Sequence, residues 1–185
     1  MVITDCYDHT LDEKGRMAIP SHIRAAMDPV QDGTAFYVVP EEHFLYLIPD
    51  KLFHRLAEKE TAGLTVDEDI AKARRYLFSR SPLLVPDKSG RVIIPDRFRA
   101  SSKNRSANME GQVALGDEVT LAGVGDRMEL WNRNQYYEHI RTLTLERKLA
   151  AEKKAKAAKA AAEAAAAPVP AATPEAVPAA KPNPV

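Results

Sequence analysis

A fourteen-residue segment occurs twice in this chain, and this duplication constrains the fold more than any other feature. The first copy, DEKGRMAIPSHIRA, spans residues 12–25, and the second, DKSGRVIIPDRFRA, spans residues 87–100. Seven positions are identical, and they include those of an Asp-x-x-Gly-Arg-x-x-x-Pro motif. Two copies are too few for a solenoid, which needs a longer stack of repeats. We therefore expect two related units that pair with each other.

A second match follows each copy and extends the repeat. The segment LYLI at residues 45–48 corresponds to MELW at residues 128–131, and Phe53 corresponds to Tyr136. The offset between the copies grows from 75 to 83 residues along the chain. The second copy therefore carries additional residues, which we assign to the polar segment 101–112.

Each copy predicts the order strand, turn, strand, short helix, strand, strand, longer helix. The turn glycines Gly15 and Gly90 favour a hairpin whose last turn residue has a positive φ, so that Arg16 or Arg91 begins the return strand. Apolar runs predict strands at residues 7–11, 16–19, 36–39 and 45–48, and at 83–86, 92–94, 118–121 and 128–131. Longer helices are expected at residues 50–60, 67–79 and 134–167, with proline ending the last one.

Composition separates the last 35 residues from the rest of the chain. Residues 151–185 contain sixteen Ala, six Pro and five Lys, but no aromatic residue and no Leu, Ile or Met. Such a segment cannot bury enough apolar surface to offset the chain entropy lost on folding. We expect one repeat over residues 1–62, a linking helix and second repeat over 63–150, and a tail over 151–185 that extends a helix and then becomes disordered.

The charges balance over the whole chain, with 26 basic and 26 acidic residues, but they are distributed unevenly. Residues 28–70 hold ten acidic and three basic residues, whereas residues 71–105 hold ten basic and two acidic ones. Phosphates respond to the local field rather than to the total charge, so nucleic acid is not excluded as a partner. A solvated helix face explains the same charge run equally well.

No catalytic motif is present in the sequence. The five histidines lack the spacing of metal ligands, Cys6 has no second cysteine to pair with, and no phosphate-binding loop occurs. We therefore expect no enzyme activity, no metal, no cofactor and no small-molecule substrate. The apolar runs are too short to span a membrane and the N-terminus does not resemble a secretory signal, which favours a cytoplasmic location.

The arginines of the repeated motif are harder to explain by packing than its other residues. Arg16 and Arg91 directly follow a tight turn, where packing requires no long charged side chain, and Lys14 and Lys88 lie on the same turns. A two-stranded ribbon fits the major groove of DNA, and arginine there can bind guanine through two hydrogen bonds. The alternative is that each arginine pairs with the aspartate of its own motif, which would be a weak surface interaction.

Two further arginines, Arg24 and Arg99, occupy matching places near the end of each motif. They are candidates for contacts with DNA phosphates. Pairing with nearby acidic side chains on the helix surface explains them equally well.

The paired Asp-x-x-Gly-Arg-x-x-x-Pro motifs resemble the tandem SpoVT/AbrB domains of the MraZ family. The segment GVGDRMELW at residues 123–131 is similar to the closing hairpin of that family, and ARRYLF at residues 73–78 to its basic helix. The resemblance covers residues 1 to about 145. It implies a mainly β fold with helices (α+β), a tandem swapped-hairpin arrangement similar to a β-barrel, in which two repeats form one pseudo-dimeric unit.

The resemblance also implies a sequence-specific, DNA-binding transcriptional regulator in the bacterial cytoplasm and nucleoid. Members of the family act on the promoter of the division and cell-wall gene cluster, assemble into homo-oligomeric rings and bind direct repeats in double-stranded DNA. Transferred by motif, the DNA-binding positions are Lys14, Gly15, Arg16, Lys88, Gly90 and Arg91. The alternative is an antitoxin-like or ring-scaffold interaction protein of the same fold, although the tail lacks the apolar anchors that occupy a partner's groove.

Overall fold

The computed structural model describes residues 1–61, 67–100 and 113–166, and its strands form a six-stranded sheet and a separate two-stranded ribbon. The strands are β1 (Cys6–Thr10), β2 (Arg16–Ala18), β3 (Phe36–Pro40), β4 (Phe44–Pro49), β5 (Leu83–Leu84), β6 (Arg91–Ile93), β7 (Glu118–Gly123) and β8 (Met128–Asn132). The helices are α1 (Ser21–Ala26), α2 (Asp50–Thr61), α3 (Glu68–Ser79) and α4 (Arg133–Ala166), with a 3-10 turn at Asp96–Phe98. The predicted α+β class is confirmed.

The large sheet interleaves strands from the two copies of the repeat. Its order is β1-β7-β8-β4-β3-β5, and all neighbours are antiparallel. The first strand of each copy pairs with the closing hairpin of the other copy, because β1 pairs with β7 and β5 pairs with β3. Among the described strands, β1 and β5 remain as edges, so the sheet is open and does not close into a barrel.

The ribbon joins the return strands of the two motifs. Strand β2 pairs with β6 in the register Arg16↔Ile93, Met17↔Val92 and Ala18↔Arg91. The hairpin expected within each copy is therefore wrong: the predicted turn forms, but the strand after it pairs with the other copy. Backbone hydrogen bonds from Ile19 N to Gly90 O and from Ile94 N to Gly15 O, both 2.9 Å, bind each return strand to the opposite turn.

One hydrophobic core, built from both copies, lies between the ribbon and the sheet. Met17 and Val92 point into it from the ribbon and are 2% and 0% exposed. Alternate residues of the four central strands face them: Phe36, Val38, Leu45, Leu47, Val119, Leu121, Met128 and Leu130. Burial of each such side chain stabilises the fold by about 1.5–3 kcal/mol, which fixes the ribbon on the sheet.

The opposite face of the sheet is covered by helices. Val39 and Ile48 project to this side and pack with Phe53 of α2, and Leu77 and Phe78 of α3 pack against the same group. Rings of Tyr37 and Phe53 stack at 4.2 Å. Because helices cover one face of the sheet and the ribbon covers the other, the outward side of the ribbon is left to solvent.

Helix α4 passes from one compact unit of the chain into another. Residues Met1–Ile140, which include both motifs, form the first unit, and the second begins at Arg141. The described side chains from residue 141 to residue 159 are exposed. The predicted helical extension into the Ala/Lys segment is confirmed to Ala166, whereas the lengthened segment 101–112 and residues 167–185 lie outside the described residues. No helix of the described chain is long and apolar enough to cross a membrane.

A chain that ends at Ala150 should melt within about 4 °C of the full chain, the shift produced by roughly 1 kcal/mol in a domain of this size. The reason is that the described side chains beyond residue 150 are exposed. Circular dichroism melts of both chains measure the shift. Leu130→Ala serves as a positive control, because emptying this buried site should cost about 2–5 kcal/mol. A comparably large loss on truncation would mean that the removed residues pack against the fold or a second copy.

Candidate nucleic-acid interface

Each motif turn is closed by its own aspartate. Oδ1 of Asp12 accepts hydrogen bonds from the backbone N–H groups two and four residues later, each at 2.9 Å. Oδ1 of Asp87 accepts the equivalent pair at 2.8 and 2.9 Å. The backbone N–H of Arg16 is the main cause that lowers the pKa of Asp12, and that of Arg91 does the same for Asp87. The hydrogen bonds accepted by the ionised Asp12 and Asp87 carboxylates therefore contribute fully to stability above about pH 4. This contribution is lost as the pH falls below that value.

The turn glycines are required by both backbone conformation and crowding. Gly15 and Gly90 have φ angles of 72° and 75°, in the left-handed region that side chains with a Cβ rarely adopt. A Cβ atom on Gly15 would lie 2.8 Å from Nη1 of Arg99, and one on Gly90 would meet the guanidinium of Arg24. Each turn thus holds an arginine from the other copy of the motif.

This packing accounts for the positions of Arg24 and Arg99. Arg24 donates from Nε to the carbonyl oxygen of Ile19 at 3.1 Å. Arg99 pairs through Nη1 with Oδ1 of Asp96 at 3.0 Å, and only 14% of its side chain is exposed. For Arg99 the structure therefore matches the alternative of pairing with a nearby acid. For Arg24 no ion pair is found in the described part of the chain.

The motif arginines Arg16 and Arg91 lie on the outward face of a single ribbon. Because Met17 and Val92 point into the core, their strand neighbours point away from it. Arg16 faces Ile93 and Arg91 faces Ala18, so the two arginines are diagonal neighbours. Diagonal Cα atoms in an antiparallel pair are about 7–8 Å apart. The sequence predicted one arginine on each of two hairpins, and the structure brings both together.

The two arginines differ in their partners. Nε of Arg16 pairs with Oδ2 of Asp12 at 2.7 Å, and 34% of the side chain remains exposed. The alternative of pairing within the motif is thus confirmed for Arg16, but its terminal nitrogens have no partner among the described residues. Arg91 is exposed and forms no ion pair within the same residues. Lys14 and Lys88 are exposed on the adjacent turns.

A second basic surface lies beside α3 and was not predicted as a site. The sequence showed the basic run at residues 71–105 but not which of its side chains meet in space. In the structure α3 and the 3-10 turn enclose a groove of about 590 Å³, which we call the α3 groove. Its lining residues are Lys72, Arg75, Tyr76, Ser79, Arg80, Arg97 and Phe98.

The described residues offer no metal site. No group of three or more histidine, cysteine or acidic side chains is arranged within them to hold an ion. Cys6 is exposed and lies on the edge strand β1.

The fold and the ribbon define a class of duplicated two-motif proteins, in which both copies build one core and present one basic ribbon. The family described as "MraZ protein, putative antitoxin-like" matches residues 77–160. Transcriptional regulator MraZ of Carboxydothermus hydrogenoformans is 31% identical over 128 residues, covering 69% of this chain and 78% of the relative. The regulators of the same name in Roseiflexus sp. and Heliobacterium modesticaldum are 26% and 28% identical, covering 80% and 72% of this chain and 94% and 82% of theirs. This chain belongs to the MraZ family.

Gly15→Ala should lower the free energy of unfolding by about 1–2 kcal/mol because of the left-handed backbone, and further because the new Cβ would crowd Arg99. In an Arg99→Ala background the crowding is removed, so the same substitution should cost less. Urea unfolding of the wild-type chain and the three variants measures this double-mutant cycle. An equal cost in both backgrounds would mean that Arg99 does not confine this position.

Proposed function

We propose that this chain is a sequence-specific DNA-binding transcriptional regulator without catalytic activity. The names of its MraZ relatives support regulation of transcription. The observation that carries the proposal is the diagonal placement of Arg16 and Arg91 on an exposed ribbon. Its proposed target is the promoter of the bacterial division and cell-wall gene cluster, and its proposed location is the cytoplasm and nucleoid.

The ribbon has dimensions that suit the major groove. A two-stranded ribbon fits a groove about 12 Å wide. Diagonal arginines about 7–8 Å apart span roughly two base-pair steps of about 3.4 Å. We propose that their guanidinium groups bind guanine O6 and N7, and that Ile93, which is 58% exposed opposite Arg16, contacts a thymine methyl group.

The flanking residues have distinct proposed roles. Lys14 and Lys88, exposed on the two turns, contact phosphates beside the groove. Gly15 and Gly90 contribute to DNA binding through the turns that they shape, because they give each turn its left-handed conformation and leave room for an arginine of the other copy. Arg24 and Arg99 act mainly by holding the opposite turn, so that their contribution to phosphate binding is indirect.

The two repeats act together as one pseudo-dimeric unit with swapped hairpins. The pairing of β1 with β7, of β5 with β3 and of β2 with β6 supports this, because neither repeat completes its sheet alone. One such unit touches only a few base pairs, and each mismatch is worth about 1–3 kcal/mol. A homo-oligomeric ring that binds direct repeats in double-stranded DNA multiplies these contacts and supplies the missing selectivity.

An antitoxin-like or scaffold function is the second candidate. The family description includes the term antitoxin-like. Leu145 and Leu149 of α4 are 60% and 57% exposed, which favours a protein partner for that helix. A toxin gene beside this gene would favour this candidate, whereas specific binding to upstream DNA favours the regulator.

Arg16→Ala and Arg91→Ala should each weaken specific binding by about 1–3 kcal/mol and relax discrimination at the contacted base. Fluorescence anisotropy with DNA from upstream of the gene, compared with scrambled DNA, measures both effects. Arg55→Ala is the matched control, since it removes the same charge from α2, where Nη1 donates to the Gln31 carbonyl. Melting temperatures should change little. If the double variant keeps its operator affinity, the ribbon does not read the bases.

Inserting about half a helical turn, ~5 bp, between two direct repeats should weaken binding sharply, whereas a full turn of ~10 bp should weaken it less. The reason is that ribbons linked in an oligomer reach the same DNA face only at whole turns. Anisotropy titrations with the native spacing and with each of the two insertions measure the effect, and mass photometry measures the size of the complex. Equal affinity at both spacings, or a strictly monomeric mass at micromolar concentration, would contradict the linked-ribbon arrangement.

A further inference from the structure

We infer that the α3 groove binds DNA phosphates on one side of the ribbon only, and so gives the bound protein a direction on its operator. This inference rests on the proposed DNA-binding function and adds a second contact surface to it. The ribbon supplies base contacts from both copies of the motif, whereas the groove belongs to the second copy alone.

Two of the three guanidinium groups of the α3 groove lie over aromatic rings. Cζ of Arg80 lies 4.4 Å from the centre of the Tyr76 ring, and Cζ of Arg97 lies 4.9 Å from that of Phe98. Nη2 of Arg97 also donates to the carbonyl oxygen of Arg80 at 3.4 Å. A ring contact orders a guanidinium without using its N–H groups, so those that remain accessible can donate to an anion.

The charges of the α3 groove are largely unneutralised. Among the described residues, Arg75, Arg80 and Arg97 form no ion pair, and Nη2 of Arg80 is buried without a hydrogen-bond partner. Lys72 differs, because it pairs with Glu68 at 3.2 Å and with Asp69 at 3.4 Å. Three cations without counter-charges among the described residues, two of them ordered by rings, make a surface that favours a polyanion.

The α3 groove lies near enough to the ribbon to meet the same duplex. Arg97 follows Arg91 by six residues, and a chain spans at most about 3.6 Å per residue, so their Cα atoms are within roughly 20 Å. One turn of DNA is about 34 Å long. The phosphates that the groove can reach therefore lie within one turn of the bases below the ribbon.

Among the described residues, the first copy of the motif has no equivalent basic groove: the pocket at the matching place has a volume of about 80 Å³, and no arginine or lysine lines it. The repeat places His22 at the position of Arg97 and Ile23 at that of Phe98. Nε2 of His22 is hydrogen-bonded to the hydroxyl of Tyr7 at 2.8 Å, within its own copy. A ribbon with two-fold pairing contacts DNA almost equally in either direction, whereas a one-sided phosphate contact favours one direction. A fixed direction is what head-to-tail units on direct repeats require.

An acidic segment of a second copy is the competing occupant, since residues 28–70 are strongly acidic. Arginine binds carboxylate and phosphate oxygens equally well through paired hydrogen bonds, so the guanidinium geometry does not decide between them. Continuity with the ribbon favours phosphate, because Phe98 of the groove is buried in the same core as Val92 of β6, and Arg97 follows Arg91 by six residues.

The test is the Arg75→Ala/Arg97→Ala double variant of the full chain. Binding to operator and to scrambled DNA should weaken by the same factor, because phosphate contacts carry no sequence information. The slope of log K against log[salt] should become shallower by roughly 0.9 for each lost contact. Ethylation interference should disappear on one side of each repeat. Lys51→Ala/Lys59→Ala, which removes two exposed charges from α2, is the matched control and should leave the salt slope unchanged.

The outcomes separate this inference from the proposed function. If the wild-type chain does not prefer its operator to scrambled DNA, the proposed function fails. If it does, an unchanged salt slope, or an interference pattern lost equally on both sides, overturns the inference alone. If mass photometry shows a smaller oligomer for the double variant, the groove contacts a second copy of the chain, and this result also overturns the inference. If the double variant melts at a much lower temperature than the wild-type chain, the single variant Arg75→Ala replaces it, because Arg75 is exposed. The expected change in the salt slope is then half as large.

Discussion

The pairing of β2 with β6 is the interaction on which the candidate site depends. Each strand is only three residues long, and an isolated two-stranded ribbon is marginally stable in water. Burial of Met17 and Val92 in the core supplies the missing stability. A slip of one residue in either strand would turn its core side chain to solvent and bury its arginine instead, at a large cost. The core therefore determines that the arginines face outward.

Two pairs of arginines in the same repeated motif have acquired different surroundings. Arg16 and Arg91 begin the ribbon strands, where the alternation of the strand directs them away from the core. Arg24 and Arg99 lie after the return strand, and each packs on the turn glycine of the other copy. The turn before Arg16 is thus packed by Arg99, and the turn before Arg91 by Arg24, so each turn depends on an arginine of the other repeat. A substitution in either repeat is expected to disturb the site formed by both.

The sequence predicted the local structure better than the pairing between strands. The positive-φ turns at Gly15 and Gly90 and the positions of α2 and α3 follow from signals contained in short segments. The partner of β2 does not, because the alternation of buried and exposed residues is the same whether it pairs within its copy or with β6. The α3 groove was also not predictable, since it joins α3 to the 3-10 turn through tertiary packing. Charge counts along the chain cannot show that Arg80 and Arg97 meet.

The ribbon itself also departs from two-fold symmetry, and the departure bears on the proposed binding to direct repeats. Arg16 stands opposite Ile93, whereas Arg91 stands opposite the smaller Ala18. One half of the outward face therefore adds an apolar side chain to its arginine, and the other half leaves room beside it. In the proposed DNA complex this difference bears on base contacts, whereas the α3 groove bears on phosphate contacts. Both asymmetries make the two halves of the binding surface different, so the contacts made with a given DNA sequence depend on the direction in which the protein lies.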